Sequence, residues 1–248
     1  MKTKALLAAL ILAVPAAYAA SPPAYVSTAV QSASRPAEDT ARDAARHPAE
    51  LVAFAGIKPG DTVADIMPGG GYFTRIFSGV VGANGHVYAV VPAEFVQKNP
   101  KATDKVTALA AEKDFTNVSV VTAPLAGIAT DKPLDVAWTS DNYHDATGFF
   151  GKDQALAMDK AVFKALKPGG VFIVIDHAAQ AGSGDSATTT LHRIDPALVL
   201  EQAKAAGFTL EGKSQVLANP ADTHDKKVFD ETIRGHTDQF VFKFRKPK

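Results

Sequence analysis

Apolar positions along the chain follow two alternating periods. Short runs rich in β-branched and aromatic residues recur at Thr62–Ile66, 86–91, 117–122, 134–139 and 171–176. Between them the apolar residues return every three or four positions. Phe73, Ile76, Phe77 and Val80 predict a helix directly after the first run, and further helices are predicted around 101–112 and over 152–166. The last of these is expected to turn Leu156, Val162, Phe163 and Leu166 inward. An earlier apolar face, Leu51, Val52, Phe54 and Ala55, follows Pro48 and stops at Lys58-Pro59-Gly60. Asp195-Pro196 caps and opens a helix reaching Ala206, which Gly207 ends. Two β-rich runs, 209–217 and 239–244, close the chain. This alternation predicts an α/β domain over 35–248, with a mostly parallel sheet and helices on both faces.

The first twenty residues do not belong to that pattern. Lys2 and Lys4 precede an apolar run over 5–17, and Ala17-Tyr18-Ala19 has the small-x-small form of a cleavage site. The run is too short for a membrane-spanning helix and reads as a secretory signal over 1–19. The mature protein is therefore expected in the periplasm or outside the cell, without stable membrane insertion after cleavage. Residues 20–34, rich in Ser, Ala and Pro, are expected to be a flexible lead-in. Export permits disulfides, but the chain has no cysteine, so its core must suffice. The 26 basic and 26 acidic residues cancel without forming a basic stripe, which argues against nucleic acid as a partner.

The most informative segment runs from Thr62 to Arg75. A strand ends, the chain turns through Gly69, Gly70 and Gly71, and a helix begins. Glycines there let the backbone approach a ligand closely, and a helix N-terminus offers N–H groups and a positive dipole end. Ligands of open α/β sheets sit at the carboxyl ends of the strands. Those ends here carry Asp65, Val91 with Glu94, Asp141 to Asp145, and Asp176-His177. Asp65 is expected either to orient the turn or to contact the ligand.

Val63-Ala-Asp-Ile-Met-Pro-Gly-Gly-Gly71 and Ala165-Leu-Lys-Pro-Gly-Gly170, in this strand–helix order, resemble the class I S-adenosylmethionine-dependent methyltransferase family. More narrowly, Asp141-Asn-Tyr-His-Asp145, Leu191-His-Arg-Ile-Asp195 and Ile233-Arg-Gly-His-Thr-Asp-Gln239 are similar to a group of exported predicted methyltransferases of Gram-negative bacteria. The resemblance implies a Rossmann-like fold with a seven-stranded sheet. It also implies S-adenosylmethionine as cofactor and methyl transfer to a small-molecule acceptor. Asp65, Gly69, Gly70 and Gly71 would hold the cofactor. The family has glycine where this chain has Met67, an acidic residue where it has Val91-Pro92, and often Asp where it has Thr122-Ala123. Glu94 is the residue placed to stand in for the acidic group that binds the ribose.

On the acceptor side, strands four and five are expected to be neighbours, so that their polar ends share one rim. His144 is the candidate base or polarising donor, because its ordinary pKa lies near neutrality. Tyr143 is placed to stack on or hydrogen-bond a substrate. Asn142, Asp145, His177, His192, Arg193 and Arg234 are candidates to line the substrate site, the arginines as a clamp for an acidic group. Trp138 reads as core, and Phe149 with Phe150 as a lip. Two other readings stand beside methyl transfer: a nucleoside- or metabolite-binding protein on the same fold, and a metal-assisted hydrolase. The latter would draw on His144, Asp145, Asp176, His177 and His192. No His-x-x-x-His pair or similar tight spacing occurs, so no metal site is expected.

Overall fold

Seven strands form one sheet in the order β3-β2-β1-β4-β5-β7-β6. They are β1 (Thr62–Ile66), β2 (His86–Pro92), β3 (Val118–Ala123), β4 (Leu134–Ser140), β5 (Leu166–His177), β6 (Thr209–Ser214) and β7 (Gln239–Arg245). The first five are parallel, and β7 inserts antiparallel between β5 and β6. These facts come from a computed structural model, which describes residues 21–248. The signal expected over 1–19 lies outside the described residues.

The helices are α1 (Ala24–Val30), α2 (Ala37–Thr40), α3 (Asp43–Arg46), α4 (Pro48–Ala55), α5 (Tyr72–Val81), α6 (Ala93–Lys98), α7 (Asp104–Ala110), α8 (Tyr143–Phe150), α9 (Lys152–Ala165) and α10 (Pro196–Ala205). Successive strand residues face opposite sides, and this splits the core in two. Val63, Val136, Trp138 and Ile173 pack with α1, α4, α5 and α7, while Ala64, Ala137, Phe172 and Val174 pack with α8, α9 and α10. Both layers are closed because every crossover between parallel strands returns over one face or the other.

The structure corrects several expectations. The lead-in expected to be flexible over 20–34 contains α1, whose Val26 and Ala29 are buried in the same core layer as α5. Two small apolar residues three apart are enough to dock one helical face, even in Ser- and Pro-rich surroundings. β5 begins at Leu166, ahead of the Lys167-Pro168-Gly169-Gly170 turn, because Leu166 already pairs with Leu134 before a register shift. On α9 the buried face is Ala155, Met158, Asp159 and Val162, with Leu156 and Phe163 only partly covered. Tyr143 to Asp145, read as part of a polar rim, open α8. Its first turn receives a carboxylate from across the sheet: the His144 amide donates to Asp176 Oδ2 at 2.7 Å.

Candidate functional site

The glycine turn stands at the carboxyl ends of β1 and β4. Met67 adopts a left-handed backbone (φ 56°), as do Gly69 (φ 56°) and Gly71 (φ 83°). Met67 thus carries a side chain in a conformation that favours glycine, at a cost of about 1–2 kcal/mol. Met67 is held there by its amide to Val90 O (2.8 Å) and by Asn142 Nδ2 donating to its carbonyl (2.9 Å). Among the described residues, the amides of Gly69 and Gly70 have no acceptor in the protein. A Cβ on Gly69 would meet nothing within 4 Å, so this stretch of backbone is open to a ligand. Asp65 is buried, and Thr74 Oγ1 donates to its Oδ2 at 2.6 Å. Burial pushes this carboxyl up to about 7, against the opposing pull of Thr74 and Arg46. It holds the start of α5 through Thr74 and lines the cavity beside the turn.

That cavity, of about 160 Å³, is walled by Asp65, Met67, Gly69, Gly70, Asp141 and Asn142 on the sheet side. The opposite wall was not anticipated. It consists of Asp39, Arg42 and Arg46 from the α2–α3 segment, with Tyr72 and Phe73 of α5. Arg35 forks onto Asp43 (2.7 and 2.6 Å), and the Tyr72 hydroxyl donates to Asp43 at 2.5 Å, which ties this segment to α5. Arg75 bridges Asp39 (3.1 Å) and the Gly70 carbonyl (2.9 Å). Arg46 pairs with Asp141, which Gln239 also contacts at 2.5 Å. Burial alone would raise Asp141; Arg46, His177 and Gln239 outweigh it and hold the carboxylate below its usual range. Arg42 lies over the Tyr72 ring and has no carboxylate partner among the described residues. The recurrence of Arg35, Asp39, Arg42 and Arg46 at three- and four-residue spacing was the signal available in the sequence.

Glu94 does not reach this cavity. Both its carboxylate oxygens accept from Leu125 N (3.1 and 2.9 Å), holding the turn after β3. The expected stand-in role is corrected: the carboxylate serves a backbone amide that would otherwise lack a partner.

At the neighbouring rim, β4 and β5 are adjacent as expected. His144 is 3% exposed, and Asp176 Oδ1 accepts from its Nδ1 at 2.7 Å. Its Nε2 lies 3.3 Å from both Asp145 Oδ1 and His192 Nδ1. Burial disfavours charge on this ring, but Asp176 and Asp145 outweigh it and raise the pKa to about 10. His177, at the end of β5, bonds Thr237 Oγ1 through Nδ1 (2.7 Å). Burial pushes its pKa down, despite Asp141 and Asp176 nearby.

Three candidates point elsewhere. Arg193 is 0% exposed and pairs with Asp222 (2.9 Å), so it is a core ion pair and not a substrate clamp. Arg234 is exposed and lies outside the cavity. Tyr143 is 0% exposed, with its hydroxyl 2.8 Å from Asp159 Oδ2 and 2.9 Å from Gln202 Oε1. It turns inward because α8 presents that face to α9 and α10. Phe149 is exposed and Phe150 partly buried, both beside Phe95 and Lys98.

The Tyr143 hydroxyl has one proton and two acceptors around it. Gln202 cannot be flipped to help, because its Nε2 already donates to Lys152 O (2.8 Å). The arrangement is satisfied when Asp159 is protonated, donates to Tyr143 and lets Tyr143 donate to Gln202. Burial accordingly raises Asp159 to about 8. Its folded pKa exceeds the unfolded value, so its stabilisation is complete below about pH 4 and is lost as pH rises towards 8. Thermal unfolding is therefore expected to show stability falling between about pH 5 and pH 8, with Asp65 adding in the same sense. Asp159→Asn, whose amide donates permanently to Tyr143, should flatten this decline. An equally steep decline in that variant would refute the assignment.

Solved structures share this architecture. An S-adenosylmethionine-dependent methyltransferase from Aquifex aeolicus is 17% identical, with a TM-score of 0.57 over 79% of this chain and 88% of its own. The [4+2]-cyclase SpnF is 15% identical, with a TM-score of 0.61 over 87% and 84%. The glycopeptide N-methyltransferase MtfA, complexed with S-adenosylmethionine, is 14% identical, with a TM-score of 0.55 over 84% and 87%. The fold is that of the class I methyltransferases. No protein-family model matches the chain, and no curated protein matches it. Within the methyltransferase fold, the cavity described above occupies the strand ends where open α/β sheets take their ligands.

Proposed function

We propose that this chain is an exported methyltransferase that transfers a methyl group from S-adenosylmethionine to a small-molecule acceptor. It would belong with the exported Gram-negative group and act in the periplasm or outside the cell. The observation that carries the reading is the open Gly69–Gly70 backbone facing an arginine-bearing wall at the ends of β1 and β4. The residues present suit the amino-acid end of the cofactor: the Gly69 and Gly70 amides with Arg42 for its carboxylate, and ionised Asp141 for its ammonium. MtfA, on the same fold, holds S-adenosylmethionine. Bound there, the cofactor supplies a methyl group on a sulfonium, and positioning with water exclusion accounts for most of the acceleration. Tyr72 and Phe73 are placed to exclude water. Asn142 caps the same rim, and His144, Asp145, His177 and His192 stand on the acceptor side. Among the described residues no helix is long and apolar enough to cross a membrane.

Calorimetric titration of the chain from Ala20 with S-adenosylmethionine and S-adenosylhomocysteine tests this. Saturable binding in about the micromolar range is expected, weakened about tenfold by Arg42→Ala. No binding by folded protein would overturn the reading. It would favour the second one, a nucleoside- or metabolite-binding protein on this fold. That reading draws on the uncharged Val91-Pro92 and Thr122-Ala123 strand ends and on the engagement of Glu94 with Leu125.

A further inference from the structure

Three atoms with lone pairs converge at the start of α8. Nδ1 of His144 is committed to Asp176, so Nε2 faces Asp145 Oδ1 at 3.3 Å and His192 Nδ1 at 3.3 Å. Asp145 Oδ1 and His192 Nδ1 are 3.6 Å apart. In the metal-free chain a single proton on His144 Nε2 is shared between these two acceptors; a metal ion that displaces this proton to solvent takes all three lone pairs at once. From these atoms we propose that His144, Asp145 and His192 form a binding site for a divalent first-row metal ion, zinc being the best fit. Ligands about 2.0–2.1 Å from a tetrahedral ion lie about 3.4 Å apart, close to the three spacings observed. At these separations a point about 2.0–2.1 Å from all three atoms lies just above their plane.

The surroundings support a built site. Asp176 is fully buried and accepts from His144 Nδ1, His144 N and His177 N, each at 2.7 Å. A carboxylate behind a ligating histidine fixes its tautomer and ring plane, as in many zinc sites. His192 holds a left-handed backbone (φ 55°), a conformation that side chains rarely adopt and that here brings its ring to the cluster. The Asp145 and His192 side chains are 23% and 26% exposed, so the fourth position opens to solvent, beside the exposed ring of Phe229. Two imidazoles and one carboxylate select transition metals over calcium or magnesium, and three protein ligands leave one place for water or for an oxygen of a bound molecule. His177 is not a member, since its ring nitrogens do not come within reach of all three of these ligand atoms. The site does not depend on the methyl-transfer reading.

The test is titration of untagged, chelator-stripped chain with Zn²⁺ and Co²⁺ in the absence of cofactor. One ion per chain is expected, with Kd at or below about 1 µM and the visible absorption of low-coordinate Co²⁺. His192→Asn retains a residue tolerant of the left-handed backbone, and with Asp145→Asn it should weaken binding at least about 100-fold while the metal-free Tm holds. His236→Ala, at an exposed histidine outside the cluster, should change nothing. Absence of saturable binding below about 100 µM, or unaltered affinity in His192→Asn, would overturn the proposal.

Discussion

A Gly71→Val chain is expected to melt about 10 °C below the parent before any ligand is added. Gly71 has φ 83°, and a Cβ built on it would lie 2.5 Å from Leu109 Cδ1 and 3.6 Å from Val106 Cγ1. A β-branched residue there meets both a left-handed backbone and an overpacked contact with α7. The two costs together reach about 3–5 kcal/mol. The neighbouring Gly69→Asn is the useful contrast. Its φ is 56° and its Cβ would meet nothing within 4 Å, so the fold should lose about 1 kcal/mol or less. Its side chain projects where a ligand would lie, so S-adenosylmethionine binding should fall at least tenfold. Thermal unfolding by circular dichroism, paired with calorimetry, separates the two. A Gly71→Val chain that melts within about 2 °C of the parent would show that α7 yields to the turn.

Arg193→Ala is expected to destabilise the fold by about 3–5 kcal/mol, leaving Asp222 buried without its countercharge. The guanidinium makes 2.9 and 3.1 Å contacts to Asp222 and donates to the carbonyls of Lys226 (2.9 Å) and Ala178 (3.0 Å). Asp222 also accepts the amides of Asp238 (2.7 Å) and His224 (3.1 Å), so one ion pair anchors the loop between β6 and β7 to the end of β5. Arg193→Lys should recover little, because a single ammonium cannot serve four directions. Arg193→Met with Asp222→Asn should lose less than Arg193→Ala alone, since neither buried charge then remains. Denaturant unfolding reads both. An Arg193→Ala chain of parental stability would refute this scaffold role.

How far the sequence carried is clearest at particular residues. Alternating apolar positions placed β1 at Thr62–Ile66, and β2 to β4 began within one residue of where they were expected. Asp195 was legible as an N-cap, and its side chain accepts from Ala197 N at 2.9 Å. Glycines bracketed by a strand and an amphipathic helix marked the turn that lines the cavity. Each of these signals lies within a few residues of chain, where backbone preference and burial period act locally. The same period placed Tyr143, His144 and Asp145 on one rim, but did not show that they begin a helix. Their directions follow from α8, which Asp176 caps from another strand and which turns Tyr143 inward and His144 towards His192.

By itself, then, the sequence determined the succession of strands, the mostly parallel sheet and the glycine turn. Only the tertiary structure decided that Arg42 and Arg46 wall the cavity, that Arg193 and Glu94 serve the scaffold, and that His144, Asp145 and His192 meet. Periodicity reports which side of its own element a residue occupies. The convergence of side chains from separate elements depends on packing angles and on buried partners far away in sequence, such as Asp176 for His144 and Asp222 for Arg193.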